Sequence, residues 1–397
     1  MDLQNAQKEI NPSAGSEHNQ TWACIRTGKG TAAIGTVEIE GPDALAAVQK
    51  CFQPRHPTTE WTAGRIFRGR FRVEGLTLDE GLAALETAHR AALHCHGNPI
   101  ILQHLLEFLK TCRVKIVSFE QMLGRRLEAE GIHGIQAEAY LESLRALSLS
   151  SVQLIRHQIT AGLCKTLQEW NRSEDLQTIR TEAQKILQRS RIARRILQGV
   201  RIVIAGPPNS GKSTLLNRLT GQERAIVSNI PGTTRDWISA FGRIGPLWVE
   251  WVDTAGIDEE LTRGDTLEQI AQQKSKALLT ECDLILYVLD ISSPLETNPP
   301  PTNSRIPMLT VFNKSDLTGI RPFHYENRIV ISALQGTGFE KLYEGILRVL
   351  QVSSFSLEEP AAFTKRQLHL LQHIASAQDL PTIKTTIQQL FDAPRPV

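Results

Sequence analysis

The 397-residue sequence predicts a mixed chain of α/β plus α class. A mostly parallel sheet with one antiparallel edge hairpin is inserted in a helical domain, behind a small α/β N-terminal domain. Three observations predict it. The apolar run 200–205 leads into GPPNSGKST (206–214) and then the helix-like Leu215-Leu216-Asn217-Arg218-Leu219, a strand, glycine-rich turn and helix in succession. Apolar runs at 284–289, 308–312 and 328–331 then alternate with helical text. Leucine-rich helical stretches poor in glycine and proline flank this module on both sides.

The predicted domains are a disordered tail at 1–20, an α/β domain at 21–117, a helical domain made of 118–198 and 353–397, and the phosphate-binding module at 199–352. In the second of these, 33–40 alternates as a strand and Gly41-Pro42-Asp43 opens a helix at 44–51, with Asp43 as its N-cap. A further amphipathic helix is expected at 100–112. His94-Cys95-His96 reads as a loop rich in polar hydrogen bonders and not as a metal site, because alternate strand positions would point apart. Between 185 and 201 six Lys and Arg residues gather on the last helix before the module, a solvated face with an RNA-facing surface as the alternative.

Within the module, 236–241 and 247–252 flank a Gly-Arg-Ile-Gly-Pro turn and form the edge hairpin. Helices are expected at 266–279 and 338–350, and the proline-rich run 293–301 is a surface insertion. Two closing helices follow at 364–377 and 380–391.

Composition bounds the setting. Lys and Arg number 44 against 42 Asp and Glu, so the net charge of +2 neither requires nor excludes a nucleic-acid partner. Six scattered cysteines without a CxxC pair read as reduced, mostly buried thiols. The polar N-terminus lacks a signal-peptide core and no run reaches the ~18 apolar residues of a membrane span, which predicts a cytoplasmic protein with no membrane partner.

The chemistry lies in ordered motifs. In GPPNSGKST, Gly206 and Gly211 let the backbone approach an anion, Lys212 adds a charge, and Ser213 offers a hydroxyl to magnesium; Asn209, Ser210 and Thr214 complete the loop. Thr233 and Thr234, in GTTRD, lie where a threonine can finish the magnesium shell, and Thr234 is the one assigned to it. Asp253 and Gly256, in DTAG, end the strand 248–252 and face the metal and the terminal phosphate. Asn313, Lys314 and Asp316, in NKSD, read the base, since a carboxylate accepts from two guanine donors that adenine lacks. Ser332 and Ala333 close the base pocket. The set predicts a P-loop GTPase that binds GTP and GDP. Ile257 stands where small GTPases place their water-orienting glutamine, so another group must act.

The chain resembles the MnmE (TrmE) family of tRNA modification GTPases. Residues 32–44 are similar to that family's GGIGIVRISGPDA, 96–99 to its HGGP turn, and 225–236 to its AIVTDIAGTTRD. The resemblance implies a role in tRNA wobble-uridine modification, a homodimer formed through the N-terminal domain, a flavoprotein partner MnmG, and a tetrahydrofolate cofactor. It also implies that Asn209 binds potassium, whose charge acts in place of an arginine finger, and that Glu268 orients the attacking water. Glu268, Lys212 and Thr234 are thus the expected catalytic residues. The family's PGEFTxRAFLNGK is replaced here by 117–126, and in place of its terminal CIGK this sequence ends Ala-Pro-Arg-Pro-Val, its last cysteine being Cys282. These departures define an alternative, a GTP-dependent regulatory binding module that has lost the modification chemistry. A ribosome-assembly GTPase would need an RNA-binding domain that the sequence does not identify.

Overall fold

The computed structural model describes residues 20–28, 30–56, 60–221, 239–253, 282–292, 306–317 and 329–392. The expected tail except Gln20, the helix at 266–279, the proline-rich insertion, and Thr233, Thr234, Gly256 and Glu268 lie outside the described residues. The chain divides into two compact units, 1–132 and 133–397.

The first unit contains strands β1 (Trp22–Ile25) and β2 (Ala32–Glu40), helix α1 (Ala44–Cys51), strands β3 (Phe52–Pro54), β4 (Arg65–Val73), β5 (Leu76–Thr87) and β6 (Arg90–Gly97), helix α2 (Pro99–Thr111), strand β7 (Lys115–Ile116) and helix α3 (Phe119–Ala129). Its strands form one sheet in the order β3-β4-β5-β6-β2-β1-β7. Val37, Ile39, Phe71 and Leu93 point from this sheet into a core with Val48, Leu105 and Leu109 of the helices. Val37 and Ile39 face the core as the alternation at 33–40 predicts, but burial does not alternate: Thr36 and Glu38 on the other face are buried as well, while Ile34 is exposed.

Three local expectations change. Asp43 precedes α1 but its side chain makes no capping bond; instead its backbone N–H donates to Thr21 Oγ1 at 2.8 Å. His94-Cys95-His96 is regular strand, with Cys95 buried, His94 beside Thr36 at 3.0 Å and His96 beside Asp79 at 2.8 Å. No metal-binding cluster of His, Cys, Asp or Glu occurs among the described residues. The third difference is α3, which packs on β1 and belongs to the first compact unit, so that unit extends to Ile132 and not 117. A capping box between Ser118 and Gln121 starts this helix, which is why helical text begins before the unit ends.

The second unit opens with helices α4 (Gly134–Ser143), α5 (Leu149–Thr160), α6 (Leu163–Arg172) and α7 (Leu176–Gln198). Strand β8 (Val200–Ala205), helix α8 (Lys212–Gly221), and strands β9 (Ser239–Ile244), β10 (Leu247–Asp253), β11 (Leu284–Asp290), β12 (Met308–Asn313) and β13 (Ile329–Val330) follow. Helices α9 (Phe339–Val349), α10 (Lys365–Ser376) and α11 (Leu380–Phe391) complete it. The sheet order is β13-β12-β11-β8-β10-β9, parallel except for the antiparallel β9–β10 edge pair. Its strands are apolar runs because both faces are covered. The chain leaves β8 toward β10 on one side and returns as β11 on the other, so the carboxyl end of β8 is a topological switch point, where open α/β sheets bind ligands.

Helix α10 packs on α7, and α11 on α4 and α6. Two buried side-chain amides and a buried hydroxyl fix the returning stretch of backbone between them. Gln158 Oε1 accepts from Ala361 N at 2.9 Å, Ser190 Oγ from Ala362 N at 2.8 Å, and Gln367 Oε1 from Phe363 N at 2.9 Å. Half of the basic excess at 185–201 has a structural use as well. Arg189 pairs with Glu359 at 2.9 Å, Arg195 donates to the Leu350 carbonyl at 2.6 Å, and Arg201 pairs with Glu250 at 2.9 Å. Those three arginines tie elements together and are not a solvated or RNA-facing row.

Candidate functional site

The P-loop leaves β8 at the switch point. Gly206 has φ 145°, and a Cβ there would lie 2.1 Å from the Val288 carbonyl oxygen; Gly211 has φ 91° and a Cβ would lie 2.3 Å from Asn313 Nδ2. Both close approaches require glycine. Asn209, also left-handed at φ 61°, projects an exposed side chain whose amide has no hydrogen bond among the described residues. Lys212 begins α8 and curls back, its Nζ donating to the Gly206 and Pro207 carbonyls at 2.8 and 3.1 Å, which leaves the ammonium over the loop.

Ser213, one residue on, donates from Oγ to Asp253 Oδ2 at 2.9 Å. Asp253 is 3% exposed at the end of β10. A hydroxyl and a buried carboxylate meeting at the phosphate loop are a hard-oxygen pair that fits magnesium. The buried Ser210 hydroxyl has no partner among the described residues.

The Asn313–Asp316 segment, expected to read the base, is tied to this loop. Asn313, 2% exposed at the end of β12, donates from Nδ2 to the Ser210 carbonyl at 3.0 Å and accepts from Ala333 N at 2.9 Å. It thus spans the phosphate loop and the Ser332-Ala333 turn. Asp316 accepts a short hydrogen bond from Ser332 Oγ, which also accepts from Gln335 N at 3.0 Å. That contact orients the carboxylate expected to meet guanine. Lys314, at φ 68°, pairs with Asp290 Oδ2 at 2.7 Å. Burial alone would raise the Asp290 pKa, but hydrogen bonds from Lys314 and Ser292 outweigh it and hold the carboxyl below its usual range.

The described residues therefore bring together Gly206, Asn209, Ser210, Gly211, Lys212, Ser213, Thr214, Asp253, Asn313, Lys314, Asp316, Ser332 and Ala333 along the carboxyl edge of the sheet. Two contributors carry no motif signal. Asp290 is only the last residue of an apolar strand, and Arg218 is a helix residue whose guanidinium donates to the Ala333 and Leu334 carbonyls of the base-side turn. Neither could be found without the third dimension.

The segment standing where the family has its folate motif behaves differently. Arg126 of α3 donates to Glu38 Oε1 at 3.2 Å and to Glu40 Oε2 at 2.6 Å, and Arg125 lies over the Trp22 ring at 3.8 Å. Glu38 and Glu40 occupy the positions of the Arg and Ser in GGIGIVRISGPDA. An anionic ligand carrying carboxylates would meet two carboxylates here, and the helix guanidinium already bound to them. This arrangement departs from the family's folate motif and opposes a ligand's carboxylate tail.

The fold and this ordered set of motifs define a P-loop GTPase. A family model described as 50S ribosome-binding GTPase matches residues 201–314. Over the longer chain, the tRNA modification GTPase MnmE of Aquifex aeolicus is 31% identical across 366 residues, covering 82% of this chain and 80% of that protein. The MnmE of Desulfotalea psychrophila is 29% identical across 395 residues, covering 86% and 83%. Among solved structures, the Era protein of Aquifex aeolicus bound to GDP and aluminium fluoride is 30% identical, covering 44% of this chain and 64% of that one, with a TM-score of 0.29. The chain belongs to the MnmE family of tRNA modification GTPases, and it binds and hydrolyses GTP. No helix among the described residues is long and apolar enough to cross a membrane.

Proposed function

We propose that this chain hydrolyses GTP in a magnesium- and potassium-dependent cycle coupled to modification of the tRNA wobble uridine. The observation that carries the reading is the 2.9 Å contact of Ser213 Oγ with the buried Asp253, directly below a phosphate loop that Asn313 ties to the base-reading turn. In this reading Lys212 and the loop N–H groups hold the phosphates, and Ser213 with Thr234 would hold magnesium, near Asp253. Thr214, Thr233 and Gly256 would meet the same phosphates, and Asp316 would select guanine.

Asn209 supports the potassium assignment because its amide oxygen is uncommitted among the described residues. The cation it would hold supplies positive charge where charge develops on the phosphate. Glu268 would orient the attacking water. Partners that follow from family membership are tRNA, a flavoprotein and a second copy of the chain.

The misfit at Glu38 and Glu40 favours a second reading, a GTP-dependent regulatory module without the modification chemistry. GTP turnover in potassium and in sodium, with Asn209→Ala and Glu268→Ala beside the wild type, tests the hydrolytic assignment. Equal rates in both salts with an unaffected Asn209→Ala would overturn it. Mass spectrometry of wobble uridine in a complemented deletion strain then separates the two readings.

A further inference from the structure

Strand β4 reads Arg-Ile-Phe-Arg-Gly-Arg-Phe-Arg-Val. Alternation sends Phe71 into the core at 0% exposure and places Arg68, Arg70 and Arg72 on the opposite face, all three exposed. Alternate residues on a strand stand ~6.7 Å apart, so the three arginines leave the backbone at regular intervals along one face. Across the pairing, Arg70 stands between Gln53 of β3 and Glu80 of β5, and Arg68 lies opposite Leu82, 39% exposed. Helix α3, the element on β1, lies at the other end of the strand order, while α1 packs on β3 and β4 beside the core residues Val48 and Phe71.

Arg55 adds a fourth cation, its backbone N–H donating to the Arg68 carbonyl at 2.8 Å. Arg55, Arg68, Arg70, Gln53 and Glu80 line a cavity of about 350 Å³, in which Glu80 is the single acidic residue. Glu80 pairs with Arg70 at 2.9 Å, and Arg72 donates to Gln53 Oε1 and to the Gly75 carbonyl, both at 3.2 Å. Arg55 and Arg68 have no ion pair or side-chain hydrogen bond among the described residues. The contrast with α7 is informative. There Arg189, Arg195 and Arg201 are engaged by other elements, whereas here two exposed guanidinium groups have no partner among the described residues.

We propose that this face of the N-terminal unit binds the phosphate backbone of RNA, with tRNA as the ligand and Arg55 and Arg68 as phosphate contacts. The proposal rests on the reading of the chain as a protein that works on tRNA. Planar guanidinium forks match phosphate oxygens in pairs, and a strand-spaced row meets successive phosphates without reading sequence. A second copy is the less favoured occupant, because a two-fold contact would set the arginine row against itself.

The test uses the full chain and a fluorescently labelled, unmodified tRNA transcript, titrated by anisotropy across a series of salt concentrations. The Arg55→Gln/Arg68→Gln variant should bind about tenfold more weakly near ~0.1 M salt, and the slope of log K against log salt should fall by roughly two. A Lys165→Gln/Arg172→Gln control, which removes two exposed cations elsewhere, should leave both values unchanged, and intrinsic GTP turnover should be the same in all three proteins. Wild-type tRNA affinity and slope in the Arg55/Arg68 variant overturn the proposal and leave the tRNA reading intact, as does an equal loss in the control. If that variant changes the molecular mass of the protein in solution but not its tRNA affinity, the face joins copies of the chain and the RNA assignment is wrong. A wild-type chain that hydrolyses GTP yet binds no tRNA at low salt sinks the proposal together with the reading beneath it.

Discussion

Asn313→Ala should weaken nucleotide binding through the phosphate loop as much as through the base. The native side chain is 2% exposed and makes two bonds, to the Ser210 carbonyl at 3.0 Å and from Ala333 N at 2.9 Å. Alanine leaves both backbone groups without these partners, at ~1–3 kcal/mol each, or ~2–6 kcal/mol together. Even the lower figure, if it falls on the ordered loop, is about thirtyfold in affinity. The assay compares GDP with pyrophosphate, which has no base, by calorimetry, alongside the urea midpoint of the free protein. Both ligands should lose affinity and the midpoint should fall. Asn313→Asp keeps the acceptor for Ala333 N but sets a carboxylate against the Ser210 carbonyl, so it should be no better. A variant that loses GDP affinity while keeping pyrophosphate affinity and its unfolding midpoint would refute the coupling, since Asn313 would then act on the base alone.

Arg126→Met takes the nearer cation from the Glu38 carboxylate, 1% exposed, leaving it the half-exposed Arg26 guanidinium at 3.8 Å, and should destabilise the protein by ~3 kcal/mol in chemical denaturation. Glu38→Gln in the same background should recover most of that loss, and no recovery would mean that packing and not charge is at stake. Asp290, whose folded pKa lies below the usual ~3.9, stabilises the fold at pH values above the unfolded pKa and loses that contribution as pH falls through the lower folded one. The thermal midpoint of Asp290→Asn should accordingly change less than that of the wild type across this acid limb. Asp316→Asn replaces an acceptor of two guanine donors by a group with one acceptor and one donor. GTP affinity should fall by about a hundredfold, with xanthosine triphosphate, which presents an acceptor there, gaining relative to GTP; unchanged selectivity in competition binding would remove Asp316 from base recognition.

The nucleotide site was largely legible in one dimension because its chemistry is local. A phosphate loop needs glycines at fixed positions and a lysine and hydroxyl at the helix start, and those demands are met within nine residues. The apolar runs gave the strands for the same reason, since burial on both faces admits little else. Misjudged positions were those where partners distant in sequence decide. Asp43 looks like an N-cap until Thr21 reaches its N–H first. His94-Cys95-His96 looks like a loop until β2 and β5 pair on either side of it. Arg195 looks solvated until the Leu350 carbonyl arrives from 155 residues away.

By itself, then, the sequence determined the P-loop class and the parallel strands, and it marked the segment expected to read guanine, because each depends on residue types at short, fixed spacing. Only the tertiary structure decided how those motifs are joined: Asn313 bridging the phosphate loop and the Ser332 turn, Asp290 pairing Lys314, and Arg218 holding the Ala333 carbonyl. It also decided which arginines are occupied and which stand open. Hydrogen bonds and ion pairs act over a few ångströms of space, whatever the length of chain between the partners, and composition records their charge but not their company.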